Sequence, residues 1–172
     1  MIKNICTEIF IRKSKIEDLE EIYEIFLELA KSEDKATKLL DNKLMNLRKR
    51  KKEFKQLSKK DILKSIKSRK SICLVAEDTK KEKVIGYCYF TLNKSWCNFF
   101  EKPPIIYLNS IVIQNRYRKK GISSLFLKNV KKIGKKEKCR YILLDVISTN
   151  PAKKIYQKWG FKSCTETMFK RL

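Results

Sequence analysis

Between Ile105 and Ile133 an apolar, strand-like run passes through a single glycine set among basic residues and enters a helical run. The strand part is Ile105, Ile106, Tyr107 and Leu108, then Ile111, Val112 and Ile113. The turn is Arg118-Lys119-Lys120-Gly121-Ile122-Ser123, and Leu125, Phe126, Leu127, Val130 and Ile133 recur at helical spacing. A strand that turns into a helix this way aims unpaired backbone N–H groups and the positive end of the helix dipole at one point, an anion site best suited to phosphate. A further apolar strand follows at Tyr141, Ile142, Leu143, Leu144 and Val146. Next comes Asn150-Pro151-Ala152-Lys153-Lys154-Ile155-Tyr156, closing on Trp159-Gly160-Phe161: a helix start with proline, then a phenol one turn before a glycine stop. Together these segments point to a phosphate-bearing ligand held beside a proton donor.

At 172 residues the chain suffices for one well-buried core, and a single domain over 1–172 is expected. No apolar run approaches the roughly 20 residues of a membrane span. Met1-Ile2-Lys3-Asn4-Ile5-Cys6 lacks the apolar core of a secretory signal. The expected location is the cytoplasm, with the nucleus left open. Six cysteines (Cys6, Cys73, Cys88, Cys97, Cys139, Cys164) form no Cys-x-x-Cys pair and there is no histidine, so no metal is expected and the thiols read as buried and reduced. Without histidine, any acid or base must be a carboxyl, phenol, amine, thiol or water.

The net charge of +23 is uneven. Residues 1–42 carry 7 Lys/Arg against 10 Asp/Glu, residues 43–70 carry 13 against 2, and residues 114–172 carry 17 against 3. A nucleic-acid footprint is one reading of the basic majority, but a lysine-rich surface coat explains it more simply and nucleic acid is not the expected partner.

Glu8 to Arg12 reads as a strand, and Ser14 with Glu17 as a capping box for a helix carrying Ile16, Leu19, Ile22, Tyr23, Phe26 and Ala30 on one face. Its other face is acidic: Glu17, Asp18, Glu20, Glu21, Glu24 and Glu28. Residues 35–70 look helical but untidy; the like charges of Arg48 to Lys52 repel, which suggests a projecting segment, and Ser58 starts a short helix. Ile72 to Ala76 and Val84 to Phe90 form a hairpin, residues 93–104 a loop, and Met168 with Phe169 a last strand. The order β-α-α-β-β-β-α-β-α-β describes an α/β chain with a central mixed sheet and helices on both faces.

At Arg118, Gly121, Ala152, Tyr156, Gly160 and Phe161 the chain resembles the GNAT superfamily of acetyl-CoA-dependent N-acetyltransferases. Ser123 replaces the usual second small Gly or Ala, and Asn150 lies two residues before Ala152 instead of three. The resemblance implies the GNAT acyl-CoA N-acyltransferase fold. It also implies acetyl-CoA as cosubstrate: backbone groups of Ile111, Val112 and Ile113 along the pantetheine, Arg118, Lys119, Lys120, Gly121, Ile122, Ser123 and Ser124 around the pyrophosphate, and a contact from Asn150. Tyr156 would protonate the departing thiolate and also touch the cofactor. Within the family the chain is most similar to the diamine and thialysine acetyltransferases, through Glu28-Leu29-Ala30, Cys73-Leu74-Val75-Ala76-Glu77, Tyr89-Phe90-Thr91, and Phe100-Glu101-Lys102-Pro103 before Tyr107-Leu108. The basic stretch at about 45–57 looks inserted. That likeness implies a small primary amine as acceptor, met by Glu24, Glu28 and Asn109, and a homodimer. Asn109-Ser110 stand where those enzymes carry two carboxylates.

Other acceptors fit parts of the pattern. Cys139 to Asp145 resembles the strand of glucosamine 6-phosphate N-acetyltransferases, and a protein N-terminus or lysine is a third possibility. Outside enzymes, aromatics among lysines (Trp96, Phe99, Phe100, Tyr117) fit a basic nucleic-acid-binding module, and a Tyr156 turned into the core would fit a catalytically dead acetyl-CoA-binding scaffold.

Overall fold

The computed structural model describes residues 8–93 and 103–170. Trp96, Cys97, Phe99, Phe100 and the Phe100-to-Lys102 stretch lie outside the described residues, as does Cys6. The elements are β1 (Ile9–Lys13), α1 (Leu19–Leu40), α2 (Phe54–Lys67), β2 (Ser71–Asp78), β3 (Lys83–Asn93), β4 (Ile105–Ile113), α3 (Ile122–Lys136), β5 (Tyr141–Leu143) and α4 (Ala152–Lys158). The chain divides into two compact units, Met1–Lys31 with Lys49–Asp145, and Ser32–Arg48 with Val146–Leu172.

The first unit holds the sheet, in the order β1-β2-β3-β4-β5. The first three pairings are antiparallel and β4 with β5 is parallel. The expected mixed sheet with helices on both faces is present. One face packs Leu74, Ala76, Cys88, Phe90, Ile106 and Leu108 against Ile122, Phe126 and Val130 of α3. The other packs Cys73, Val75, Val84, Tyr87 and Val112 against Ile22 and Ile25 of α1 and Ile66 of α2. Each buried Val, Leu, Ile or Phe among these contributes about 1.5–3 kcal/mol relative to exposure.

Two bulges shift the alternation of side chains. Ala76 pairs with Gly86 and Glu77 with Val84, so Ile85 is an extra residue in β3. Tyr89 pairs with Ser110 and Phe90 with Leu108, so Asn109 is an extra residue in β4. A strand repeats every two residues, and one additional residue exchanges its faces. Ile106 and Leu108 therefore share the α3 face with Ile111 and Ile113, although the two sets fall on opposite parities of the sequence.

Several local expectations are corrected. Ser14 does not cap α1: its N–H donates to the Cys73 carbonyl at 2.9 Å, which keeps the chain extended and Ser14 buried. Asp18 does the capping, its Oδ2 accepting from the Lys15 N–H at 2.6 Å. Arg12 grips the same carboxylate with both terminal nitrogens, at 2.7 and 2.8 Å, and its Nε donates to Glu77. Ser58 does not start α2; its hydroxyl donates back to the Phe54 carbonyl at 2.7 Å inside a helix begun four residues earlier. The 35–70 stretch is not wholly projecting, because Ser65 and Ile66 of α2 are buried. No strand forms at Met168 and Phe169. Residues 161–170 have no regular structure and Met168 is 87% exposed, since two apolar residues among Thr165, Glu166, Thr167 and Lys170 give a strand no face to bury.

In the second unit, α1 runs on to Leu40 and a 3-10 segment covers Asn42–Arg48. Arg48 does not repel its surroundings there: it pairs with Glu33 at 2.9 Å and Asp34 at 2.8 Å. The Thr149 hydroxyl donates to the Ala36 carbonyl at 2.5 Å.

Candidate active site

The turn between β4 and α3 is built for an anion. After Ile113, the Gln114 N–H donates to the Ile85 carbonyl at 2.9 Å, and a 3-10 turn at Asn115–Tyr117 follows. Lys119 and Gly121 then take positive φ, 61° and 78°. Left-handed backbone costs a residue with a side chain about 1–2 kcal/mol, which is why glycine stands at the helix start. A Cβ at Gly121 would meet nothing within 4 Å, so the space before it is open. Among the described residues, the amides of Lys119 to Ser123 donate to no backbone carbonyl, whereas those of Ser124 and Leu125 are used by the Gly121 carbonyl at 3.0 and 3.3 Å. Five free donors at the positive end of a fifteen-residue helix make a cradle that could hold a phosphate. They could hold a pyrophosphate group, whereas the Ser124 amide, placed with them from the sequence, is already spent on the Gly121 carbonyl.

Arg118 braces this turn. Its Nε donates to the Ile113 carbonyl at 2.9 Å, and its Nη2 lies 3.8 Å from Oε2 of Glu28. That same oxygen accepts from the Asn115 N–H at 3.0 Å. Glu28, expected at the acceptor, thus fastens α1 to the turn. Tyr117 is buried and donates to Asp78 at 3.0 Å, so it is not a surface platform for stacked bases; Lys81, Arg116 and Lys120 lie 5.5, 5.2 and 5.3 Å from its ring centre.

Beside the cradle the sheet opens. Pairing of β4 with β5 ends at Tyr107 and Leu143, so from Leu108 onward β4 has no strand neighbour on that side among the described residues. The expected pantetheine residues Ile111, Val112 and Ile113 lie on this stretch, with the Ile113 carbonyl already held by Arg118. Asn109, the bulge residue, is exposed, and its Oδ1 accepts from the Thr91 hydroxyl at 3.4 Å. Glu24, together with Glu20, Glu21, Lys83 and Gln114, lines a hollow of about 160 Å³.

The structure brings Ile111 to Ser124, Glu24, Glu28 and Asn109 into the first unit, while Asn150 and Tyr156 belong to the second. In the second unit, Asn150 Oδ1 accepts from the Ala152 N–H at 3.0 Å and starts α4. Tyr156 is half-buried, its ring 5.8 Å from Trp159 and 5.9 Å from Phe161. Gly160, at φ 87°, ends the helix as expected.

A contact the sequence reading missed joins the two strands where they part: the Tyr107 hydroxyl donates to Asp145. The available signal was a lone carboxylate in the apolar run from Tyr141 to Val146. Burial and then Asp145 push the Tyr107 phenol up to about 12. Burial pushes the Cys73 thiol up to about 11 and raises the Cys88 thiol well above its ordinary range, so neither is a nucleophile near neutrality. The described residues contain no group of metal-ligating side chains, and none of their helices is long and apolar enough to cross a membrane.

The sequence profile of the acetyltransferase (GNAT) family matches residues 19–161, a span running through both units. The chain belongs to the GNAT acetyltransferases: it is an acetyl-CoA-dependent N-acetyltransferase. No curated protein matches its sequence. Solved structures share its fold. A mutant of the BH1408 protein from Bacillus halodurans has 22% identity over 95% of this chain and 99% of its own, with a TM-score of 0.79. Aminoglycoside N-acetyltransferase AAC(6′)-Iy in complex with CoA has 16% identity over 95% and 94%, at 0.65. Aminoglycoside 6′-N-acetyltransferase AAC(6′)-Ih from Acinetobacter baumannii has 13% over 95% and 97%, at 0.67.

Proposed function

We propose that the chain acetylates a primary amine of a small cationic molecule, of the diamine, polyamine or lysine-analogue kind, in the cytoplasm and as a homodimer. The observation that carries the reading is the parting of β4 from β5 beside the glycine cradle, on the sheet that also bears the acidic hollow of α1. Acetyl-CoA supplies the acetyl group, activated as a thioester. The five amides from Lys119 to Ser123 hold its pyrophosphate, and the free edge of β4 around Ile111 and Val112 lies along its pantetheine and polarises the carbonyl. Arg118 and Glu28 keep the turn in shape. Glu24 draws the cationic acceptor toward the sheet, the Asn109 amide at the bulge orients it, and its amine gives a proton to water before nitrogen attacks the thioester carbonyl. To Tyr156 we assign protonation of the departing sulfur, a task matched to a phenol.

Aminoglycosides, named as substrates of the AAC(6′) enzymes, carry several amines and share the chemistry of a polyamine. The deciding experiment is thiol release from acetyl-CoA against a panel of diamines, polyamines, lysine analogues, aminoglycosides, glucosamine 6-phosphate and peptides. Fastest turnover with a small polycation is expected. Fastest turnover with glucosamine 6-phosphate or a peptide would reject the acceptor class and leave the acetyltransferase in place.

A further inference from the structure

The face of the sheet turned toward α1 and α2 changes character along its length. Near the cradle it is apolar, with Val75, Val84, Tyr87 and Val112. Farther along it carries Tyr89 paired with Ser110, and Thr91 paired with Tyr107, all four half-buried. Cross-strand partners share a face, and the Thr91–Asn109 bond brings the bulge amide to the same side. The opposite face has no such change, being apolar from Leu74 to Ile106. The polar patch thus lies where β4 and β5 separate, and at its rim stands Asp145, two residues beyond the last paired residue of β5. One carboxylate oxygen of Asp145 is held by the Tyr107 hydroxyl; the other has no partner among the described residues.

We propose that Asp145 is the counter-ion that receives the ammonium group of the acceptor, with Tyr107 as its positioning residue and Tyr89, Thr91, Asn109 and Ser110 as a hydroxyl- and amide-lined floor. The assignment rests on the acceptor being a small primary amine. It answers a chemical need: with carboxylates absent at Asn109 and Ser110, a chain of net charge +23 requires a close anion to hold a cation beside the thioester, because a contact carboxylate outweighs charges screened beyond about 8–10 Å. The Tyr107 phenol stays protonated through the physiological range and so remains a donor to the carboxylate. An anion fixed this way has lost its rotamer freedom before the ligand arrives. Hydroxyl and amide groups beneath it suit an amine that carries further polar groups.

The test uses the full chain and the best amine from the panel above. Asp145→Asn is nearly isosteric and exposed, so the fold should survive, which a thermal melt checks. Its KM for the amine should rise at least about tenfold, with acetyl-CoA affinity by calorimetry within twofold of wild type. Tyr107→Phe should raise the same KM by about threefold, the worth of one hydrogen bond, and Asp145→Glu should recover part of the loss. An unchanged amine KM in Asp145→Asn, or equal losses of amine and acetyl-CoA affinity, overturns the assignment while an active wild type upholds the acceptor class. A wild type that binds acetyl-CoA yet acetylates no small amine overturns the acceptor class and this assignment with it.

Discussion

Gly121 and Tyr156 show what a residue discloses on its own. A glycine between a strand and a helix announced the cradle because the left-handed backbone there, φ 78°, is one that residues with side chains avoid. Replacing Gly121 by valine should cost about 1–2 kcal/mol of stability, since a side chain there meets no protein atom within 4 Å. The larger effect should fall on acetyl-CoA, whose pyrophosphate needs that open space; a calorimetric affinity within twofold of wild type would reject the cradle. For Tyr156→Phe the expected loss is about 100-fold in turnover, with acetyl-CoA affinity preserved because the ring contacts to Trp159 and Phe161 remain. Unchanged turnover would assign the proton to water or another group. The Tyr107–Asp145 contact was not readable, because 38 positions separate the partners and only strand pairing joins them.

Among the elements, the helices and central strands were visible from their periodicity, while their ends were not. Helix α1 is entered through a 3-10 turn, Ile16–Asp18, closed by the Asp18 carboxylate, because the preceding serine is still engaged in strand pairing. Burial tends to raise the Asp18 carboxyl, but the hydrogen bonds from Arg12 and the Lys15 N–H prevail and hold it below its ordinary value. A depressed carboxyl stabilises the fold above its unfolded value, roughly 3.9, and that contribution disappears as pH falls through the folded value. Asp18→Asn should therefore be less stable than wild type at pH 7, by about 3 kcal/mol for a broken, largely buried pair. The gap should narrow toward pH 3; urea denaturation at both pH values measures it, and a gap of constant size would show that the charge is immaterial. The acidic face of α1 likewise divides by partner. Glu24→Lys should raise the amine KM and spare acetyl-CoA, whereas Glu28→Gln should weaken acetyl-CoA binding because Glu28 ties the Asn115 N–H and Arg118. Steady-state kinetics with each substrate varied separates the two.

At the scale of the whole molecule, composition bounded the protein without locating its chemistry. The excess of lysine says little about the acceptor, since a few close groups set recognition at a site while dispersed charge is screened. The mixed sheet was foreseeable from the order of apolar runs. The division into two units and the irregular backbone of residues 161–170 were not, because both depend on which segments find partners and not on local pattern. The proposed homodimer predicts a sedimentation mass of twice 20.5 kDa at micromolar concentration; a single monomeric species would refute it.

The extra residue in β4 acts as a frameshift written into a strand. Upstream of Asn109 the even-numbered side chains face α3, and downstream the odd-numbered ones do. Any homologous chain lacking that one position would have to invert the apolar spelling of everything from Ile111 onward to keep the same core. Excising Asn109 alone should thus be far more damaging than replacing it, because the deletion sends Ile111 and Ile113 to the wrong side and brings Val112 against α3. The register of β4 beyond the bulge is in this sense inherited as a count of residues, and point substitutions in the strand leave that count intact.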